Sequence, residues 1–93
     1  KNVESKEASQ IYDWRELCKV IAWYRRSFNL TQHEFAKRIS THYSTVSRWE
    51  SGKSQPRAED IVKTARLFGI SEQDLLYPSD EVKKWVNMRL KEP

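Results

Sequence analysis

Glycine and proline, the residues that most often end helices, are rare in this 93-residue chain and stand only at Gly52, Gly69, Pro56, Pro78 and Pro93. Between these positions the apolar residues recur about every 3.6 residues, which is the period of an α-helix. No segment alternates β-branched and polar residues in the way that is typical of a strand. The sequence therefore predicts an all-α fold in one small domain.

Capping residues divide the chain into five predicted helices and an extra C-terminal helix. Residues 1–12 are expected to form a flexible N-terminal arm, because the first nine are polar apart from one valine. The five helices fall within residues 13–77, and the extra helix lies within residues 78–93. The predicted helical segments are 13–27, 32–39, 43–51, 57–68, 71–77 and a last one that starts at Asp80. The predicted N-terminal caps are Asp13 with Glu16, Thr31, and Ser71 with Asp74.

The helical period also predicts which side chains face the core. Asn29 should end the first helix in a left-handed conformation, and Gly69 should end the fourth. In the fourth helix, either Leu67 or Phe68 is expected to be buried. The residues expected on the inner face of the first helix are Trp14, Leu17, Cys18, Ile21, Arg25 and Phe28.

The charge and composition of the chain exclude several classes of function. A net charge of +4 and a pI near 9.3 suggest an anionic partner. Cys18 is the only cysteine and cannot form an internal disulfide, and no apolar leader precedes residue 20, so an intracellular, cytoplasmic protein is expected. His33 and His42 lack a third ligand at metal spacing, and no nucleophile–base pair or glycine-rich loop occurs. We therefore expect no enzymatic activity, no metal and no cofactor.

The segment 31–51 carries the strongest functional signal, a short helix, a tight break and a second helix. Ala36 must be small, because the two helices should cross just above it. Position 40 falls in the turn, where a left-handed backbone is often needed. Val46 and Trp49 are one helical turn apart and should anchor the second helix in the core.

Three segments, LTQHEFAKRI (30–39), STVSRWESGK (44–53, followed by Pro56) and LFGISEQDLL (67–76), together resemble the DNA-binding domain of the phage-repressor and Cro type. This is the helix-turn-helix family, also called the xenobiotic-response-element family, and the resemblance extends from Leu17 to Leu76. It implies a five-helix repressor-like domain over residues 13–77 and sequence-specific DNA binding by a transcriptional regulator. Ser40 departs from the family, which usually has glycine at this position. A left-handed serine would cost on the order of 1 kcal/mol, or the turn would adopt another conformation.

The resemblance also implies a set of contact residues, with helix 43–51 in the major groove. Arg48 could bind guanine O6 and N7, and Tyr43 could contact a thymine methyl or a phosphate. Arg25 and Glu50 are expected to form a structural ion pair. The implied base-contacting residues are His42, Tyr43, Ser44, Ser47 and Arg48. The implied DNA-backbone contacts are Thr31, Gln32, Lys53, Ser54 and Arg57, the last of which could instead enter the minor groove.

Two questions concern Trp23 and Trp85, to which the resemblance assigns no role. Trp23 points away from the inner face of the first helix, and an exposed tryptophan suggests a partner. The last helix could fold back over Trp23, or Trp23 and Trp85 could form a homodimer interface with Ile11 and Tyr12. A dimer would bind a palindromic site with half-sites about 10 bp apart. An alternative function is a protein-interaction module, such as an antitoxin, that binds its partner through these tryptophans.

Overall fold

The computed structural model describes residues 13–91, with side chains described as far as Met88. Within this range the chain forms six α-helices and no strand, as the sequence predicts. The helices are α1 (Trp14–Ser27), α2 (Gln32–Arg38), α3 (Tyr43–Glu50), α4 (Ala58–Phe68), α5 (Glu72–Leu76) and α6 (Asp80–Lys91). The predicted arm, with Ile11 and Tyr12, lies outside the described residues.

Side-chain caps start the helices close to where the sequence predicts them. The Thr31 hydroxyl accepts from the Glu34 N–H at 3.0 Å, and Glu34 accepts from the Thr31 N–H at 2.8 Å, which is a complete capping box. Ser71 Oγ accepts from the Asp74 N–H at 3.0 Å. The Asp13 carboxylate instead accepts from the Arg15 N–H at 2.9 Å, so its predicted pairing with Glu16 is wrong. Arg57 is the residue before α4 rather than its first residue, and its N–H donates to Asp60 at 3.1 Å.

Left-handed residues end four of the helices, and Gly52 has φ 76° after α3. Gly69 has φ 73° after α4, and Asn29 has φ 57° after α1. Ser40 has φ 58° in the turn between α2 and α3, so of the two conformations considered for this serine the left-handed one is present. Its backbone N–H bonds to Lys37 O at 3.2 Å, and Thr41 N bonds to Ala36 O at 2.9 Å. The turn therefore takes the backbone path that glycine would adopt more readily, at a cost of about 1 kcal/mol.

The core lies mainly among α1, α2, α3 and α4, and Leu75 of α5 and Val86 of α6 also belong to it. Phe35, Val46 and Trp49 are at most 1% exposed, and Ala36 is buried where α2 packs against α3. Phe68 is buried and stacks on Tyr24 and Phe35, which settles the choice between Leu67 and Phe68. Phe28 is exposed rather than inward, because it follows the last turn of α1; its ring is tilted by 49° against that of Phe68, with the centroids 5.0 Å apart.

The last helix folds back onto the first. Val86 of α6 is buried, and Trp85 stacks on Trp23 with ring centroids 6.0 Å apart. Trp23 is consequently half-buried, and it also meets Tyr24 edge-on at 5.0 Å. The intramolecular hypothesis for Trp23 is thus correct, while Trp85 remains 46% exposed and Met88 56% exposed.

Candidate nucleic-acid interface

Helix α3 is held to the domain by one face and presents the other to solvent. Val46 and Trp49, one turn apart, are fully buried. Ser44 and Arg48 on the other face are exposed, Tyr43 is 42% exposed, and Ser47 is half-buried. Because side chains one turn apart share a face, burial of one stripe leaves the opposite stripe free to meet a partner.

His42, which the family resemblance places among the base contacts, caps the start of α3. Its Nδ1 accepts from the Ser44 N–H at 3.1 Å and lies 2.8 Å from Ser44 Oγ. A ring nitrogen that accepts from a backbone N–H carries no proton, so this cap corresponds to the tautomer with its proton on Nε2. In this tautomer the Nε2–H is free to donate to DNA, while the other ring nitrogen caps the first turn of the helix. Sequence reasoning missed this cap because histidine is not among the usual N-cap residues.

Tyr43, the first residue of α3, stacks on His33 of α2. The ring centroids are 4.0 Å apart and the ring planes differ by 17°. The His42 ring is farther from Tyr43, at 6.0 Å and tilted by 38°. The sequence did not indicate a role for His33 in the site, because its position next to Tyr43 depends on how α2 and α3 cross.

Glu50, at the end of α3, joins three helices. Arg25 of α1 donates from Nε to Oε2 at 2.6 Å and from Nη2 to Oε1 at 2.9 Å, so the expected ion pair is present. Gln32 of α2 donates from Nε2 to Glu50 Oε1 at 2.9 Å. The side chains of Arg25 and Glu50 are 11% and 8% exposed, which makes this a largely desolvated pair with bidentate geometry. Arg25 also donates from Nη1 to the backbone carbonyl of Leu30 at 2.7 Å, which gives this carbonyl of the loop after α1 a hydrogen-bond partner.

Gln32 thus has a partner inside the protein that the sequence did not indicate. The resemblance implies a DNA-backbone contact, and one amide N–H of Gln32 is instead bound to Glu50. Thr31, the other implied contact on α2, has its hydroxyl oxygen occupied as the helix cap, which leaves the hydroxyl proton free to donate.

Burial and, secondarily, the nearby Glu50 carboxylate raise the pKa of the Cys18 thiol to about 11. Both causes disfavour the thiolate, so Cys18 stays protonated at neutral pH. The residue packs in the core and is not poised as a nucleophile.

The loop after α3 brings further cations to the same side. Lys53 and Arg57 are exposed and Ser54 is half-buried, and the Lys53 N–H bonds to Arg48 O at 2.8 Å. An open groove of about 470 Å³ is lined by Arg48, Ser54 and Arg57 together with Glu59 and Asp60 of α4. The structure therefore brings Arg48 together with two of the implied backbone contacts. The two carboxylates would repel a phosphate inside the groove. The arginines are therefore better placed to bind an anion outside the groove than within it.

Neither a metal cluster nor a membrane helix is found in the part of the chain that the structure describes. No group of three or more His, Cys, Asp or Glu residues within residues 13–91 could hold a metal ion. No helix in this range is long and apolar enough to cross a membrane.

Comparison with known proteins places these features in a wider group. The helix-turn-helix family model matches residues 21–75. An uncharacterized HTH-type transcriptional regulator of Methanocaldococcus jannaschii is 34% identical over 62 residues, which are 66% of this chain and 94% of that protein. A second uncharacterized HTH-type transcriptional regulator, from Archaeoglobus fulgidus, is 36% identical over 67% of this chain and 86% of its own length. The HTH-type transcriptional activator BcrR of Enterococcus faecalis is 33% identical over 56% of this chain but only 26% of its own length.

Two solved structures share the fold. A hypothetical transcription factor from Neisseria superposes with a TM-score of 0.66 at 24% identity, over 78% of this chain and 85% of that chain. A transcriptional regulator from Listeria innocua superposes with a TM-score of 0.60 at 18% identity, over 83% of this chain and 78% of that chain. At these identities the likeness concerns the arrangement of the helices.

Proposed function

Because the chain belongs to the Cro/C1-type helix-turn-helix family, we propose that it regulates transcription inside the cell by binding a specific double-stranded DNA sequence. In this proposal α3 enters the major groove. The bound protein then blocks a promoter, as a repressor does, or recruits a partner to it.

The observation that carries the proposal is the division of α3 into a buried and an exposed face. Val46 and Trp49 fix the helix, and Glu50 ties its end to α1 and α2. A helix held this firmly presents its outer side chains with little freedom, which lowers the entropy lost on binding. That outer face carries one arginine and short hydroxyl side chains, and Lys53 and Arg57 follow it in the next loop.

The proposed DNA contacts divide into side chains on or next to α3 that read bases and side chains outside α3 that bind phosphates. Arg48 is assigned to a guanine through O6 and N7, because its guanidinium is exposed and can donate two parallel bonds. Tyr43, Ser44, Ser47 and the Nε2–H of His42 are assigned to neighbouring base edges. The phosphate contacts are assigned to Thr31, Gln32, Lys53, Ser54 and Arg57. These contacts contribute to affinity but do not distinguish one base sequence from another. Gln32 uses its second amide N–H for this contact, since its first N–H is bound to Glu50.

Selection of bound sequences from a random DNA pool, followed by titrations at several salt concentrations, tests the proposal. Arg48→Ala is expected to lose about 1–3 kcal/mol on the selected site and to relax preference at one base pair. Lys53→Ala should weaken all sequences alike and reduce the salt slope by about one. Arg66→Ala and Lys84→Ala, which remove exposed cations from α4 and α6, are the matched controls. No enrichment of any sequence by the wild-type protein would refute the proposal.

The exposed end of α6 supports a protein contact in addition to DNA binding. Trp85 and Met88 are both about half exposed, although Trp85 already covers Trp23. We assign this surface to a homodimer that binds a palindromic site with half-sites about 10 bp apart. Trp85→Ser with Met88→Ser should give a monomer by solution mass, whereas removal of residues 79–93 would also take Val86 from the core. A wild-type protein that stays monomeric on a two-half-site DNA would contradict the dimer.

The same surface also supports the second candidate function, in which another protein rather than DNA is the partner. The half-exposed Trp85 and Met88 favour it, since large apolar side chains of this kind often mark protein contacts. A partner whose capture is lost in Trp85→Ser, together with DNA binding that shows no sequence preference, would favour this function over the first.

A further inference from the structure

The ring of Tyr43 is held in place by a residue outside the recognition helix. His33 lies on α2, ten positions earlier in the chain, and its imidazole covers one face of the Tyr43 ring at a centroid distance of 4.0 Å. The planes are within 17° of parallel, so the contact is a stack and not an edge contact. Both residues are exposed, and the pair therefore stands on the surface assigned to DNA rather than in the core.

A stack of this kind limits what Tyr43 can do. The covered face cannot lie against a base or a thymine methyl, which leaves the ring edge, the hydroxyl and the opposite face for DNA. An exposed tyrosine without a neighbour would distribute itself over two or three χ1 wells. His42 does not supply this restraint, because its ring is 6.0 Å from Tyr43, tilted by 38°, and its Nδ1 is engaged in capping α3.

We propose that His33 is a positioning residue that sets the orientation of Tyr43 and thereby the base preference at the position that Tyr43 reads. This inference rests on the proposed function and adds to it a residue of α2 that acts on specificity through another side chain. The role needs a flat ring at position 33 and not its nitrogen atoms. Replacing His33 should weaken DNA binding only when Tyr43 is present, because His33 acts through the tyrosine.

The expected effect follows from the rotamers that the stack excludes. If only one of two or three χ1 wells binds productively, loss of the stack lowers the competent fraction and raises the apparent Kd by about two- to threefold. The preference between the selected base pair and its alternatives at the Tyr43 position should fall by a similar factor. Preferences at other positions should not change.

The experiment is a double-mutant cycle on the full chain, with Kd measured on the selected site and on sites altered at one base pair. His33→Ala should show the two- to threefold loss, and His33→Phe should retain wild-type affinity and preference. In a Tyr43→Ala background, His33→Ala should have no further effect. Lys37→Ala, an exposed α2 cation one turn further on, is the matched control and should weaken all sites evenly.

Three outcomes would overturn the inference. An equal loss from His33→Ala with and without Tyr43 would mean that His33 contacts DNA itself, and failure of His33→Phe would assign the effect to the imidazole nitrogens. If the NMR spectrum of the free protein lacked ring-current shifts and His33–Tyr43 proton contacts, the stack would not form in solution. Any of these leaves sequence-specific binding intact, whereas a wild-type protein without sequence preference would refute the proposed function and this inference together.

Discussion

Replacing Glu50 with alanine removes the acceptor on which α1, α2 and α3 converge. The carboxylate receives two bonds from Arg25 and one from Gln32. In the variant the Arg25 guanidinium would stay largely buried and keep only its bond to Leu30 O. Breaking a buried ion pair from one side destabilises a protein by about 3–5 kcal/mol, because the remaining charge is desolvated without a partner.

This loss is large for a chain of this size. A domain of 93 residues has a free energy of unfolding of about 5–14 kcal/mol. Since 1 kcal/mol shifts the Tm of such a domain by about 4–8 °C, we expect Glu50→Ala to lower the Tm by about 12 °C or more. Gln32 lies nearer solvent and can turn outward, so it adds little to the loss.

Urea unfolding followed by tryptophan fluorescence measures the effect, since Trp49 is buried next to Glu50 in the chain. Glu81→Ala, at an exposed carboxylate in the first turn of α6, is the control and should change stability by no more than about 1 kcal/mol. The loss in Glu50→Ala should change little between low and high salt, because a desolvated pair is weakly screened. A loss below about 1 kcal/mol, the usual worth of an exposed pair, would refute the reasoning.

A double replacement separates the charge from the volume. Arg25→Met combined with Glu50→Met leaves no buried charge, so it should be more stable than Glu50→Ala alone. A double variant as unstable as the sum of the two single variants would show that the pair acts by packing and not by charge compensation.

Three other positions give predictions about stability. Thr64 is fully buried and its hydroxyl has no hydrogen-bond partner among the described residues. Thr64→Val should therefore raise the free energy of unfolding by about 1 kcal/mol in urea titrations. A lower free energy of unfolding would mean that the hydroxyl does have a partner. Ser40→Gly should stabilise the turn by up to about 1 kcal/mol, since φ is 58°, and no gain would place the strain elsewhere. The pKa of Cys18 is raised from 9.0 to about 11, so the unfolded chain loses this proton first as the pH rises. Its stabilising contribution is therefore complete below pH 9 and should fall by about 1.4 kcal/mol per pH unit up to pH 11. Cys18→Ala should remove that slope, and the difference between the two proteins cancels the contribution of Tyr24, whose pKa is also raised by burial and, secondarily, by Asp74.

The helices themselves follow from local sequence. Thr31 with Glu34 closes a capping box within four residues, and Asn29 and Gly69 supply left-handed ends. The inner faces follow the helical period, so Leu17, Ile21 and Val46 are buried as predicted. These features depend on residues no more than a turn or two apart, so they can be predicted directly from the sequence.

The candidate site is only partly open to the same reasoning. That Val46 and Trp49 face inward while Arg48 faces outward follows from spacing, and the ion pair of Arg25 with Glu50 followed from the family resemblance. The His42 cap joins residues only two positions apart, yet the sequence did not predict it, because an imidazole rarely serves as a helix cap.

Contacts between helices required the tertiary structure. The bond from Gln32 to Glu50, the stack of His33 on Tyr43 and the cover of Trp23 by Trp85 join residues that are 10 to 62 positions apart in the chain. Periodicity places each of these residues on a face of its own helix, but the crossing angles set by packing around Trp49 and Val86 decide which faces meet. The sequence by itself thus determined the helices and the outward face of α3, and only the packed structure decided which neighbours orient the side chains on that face.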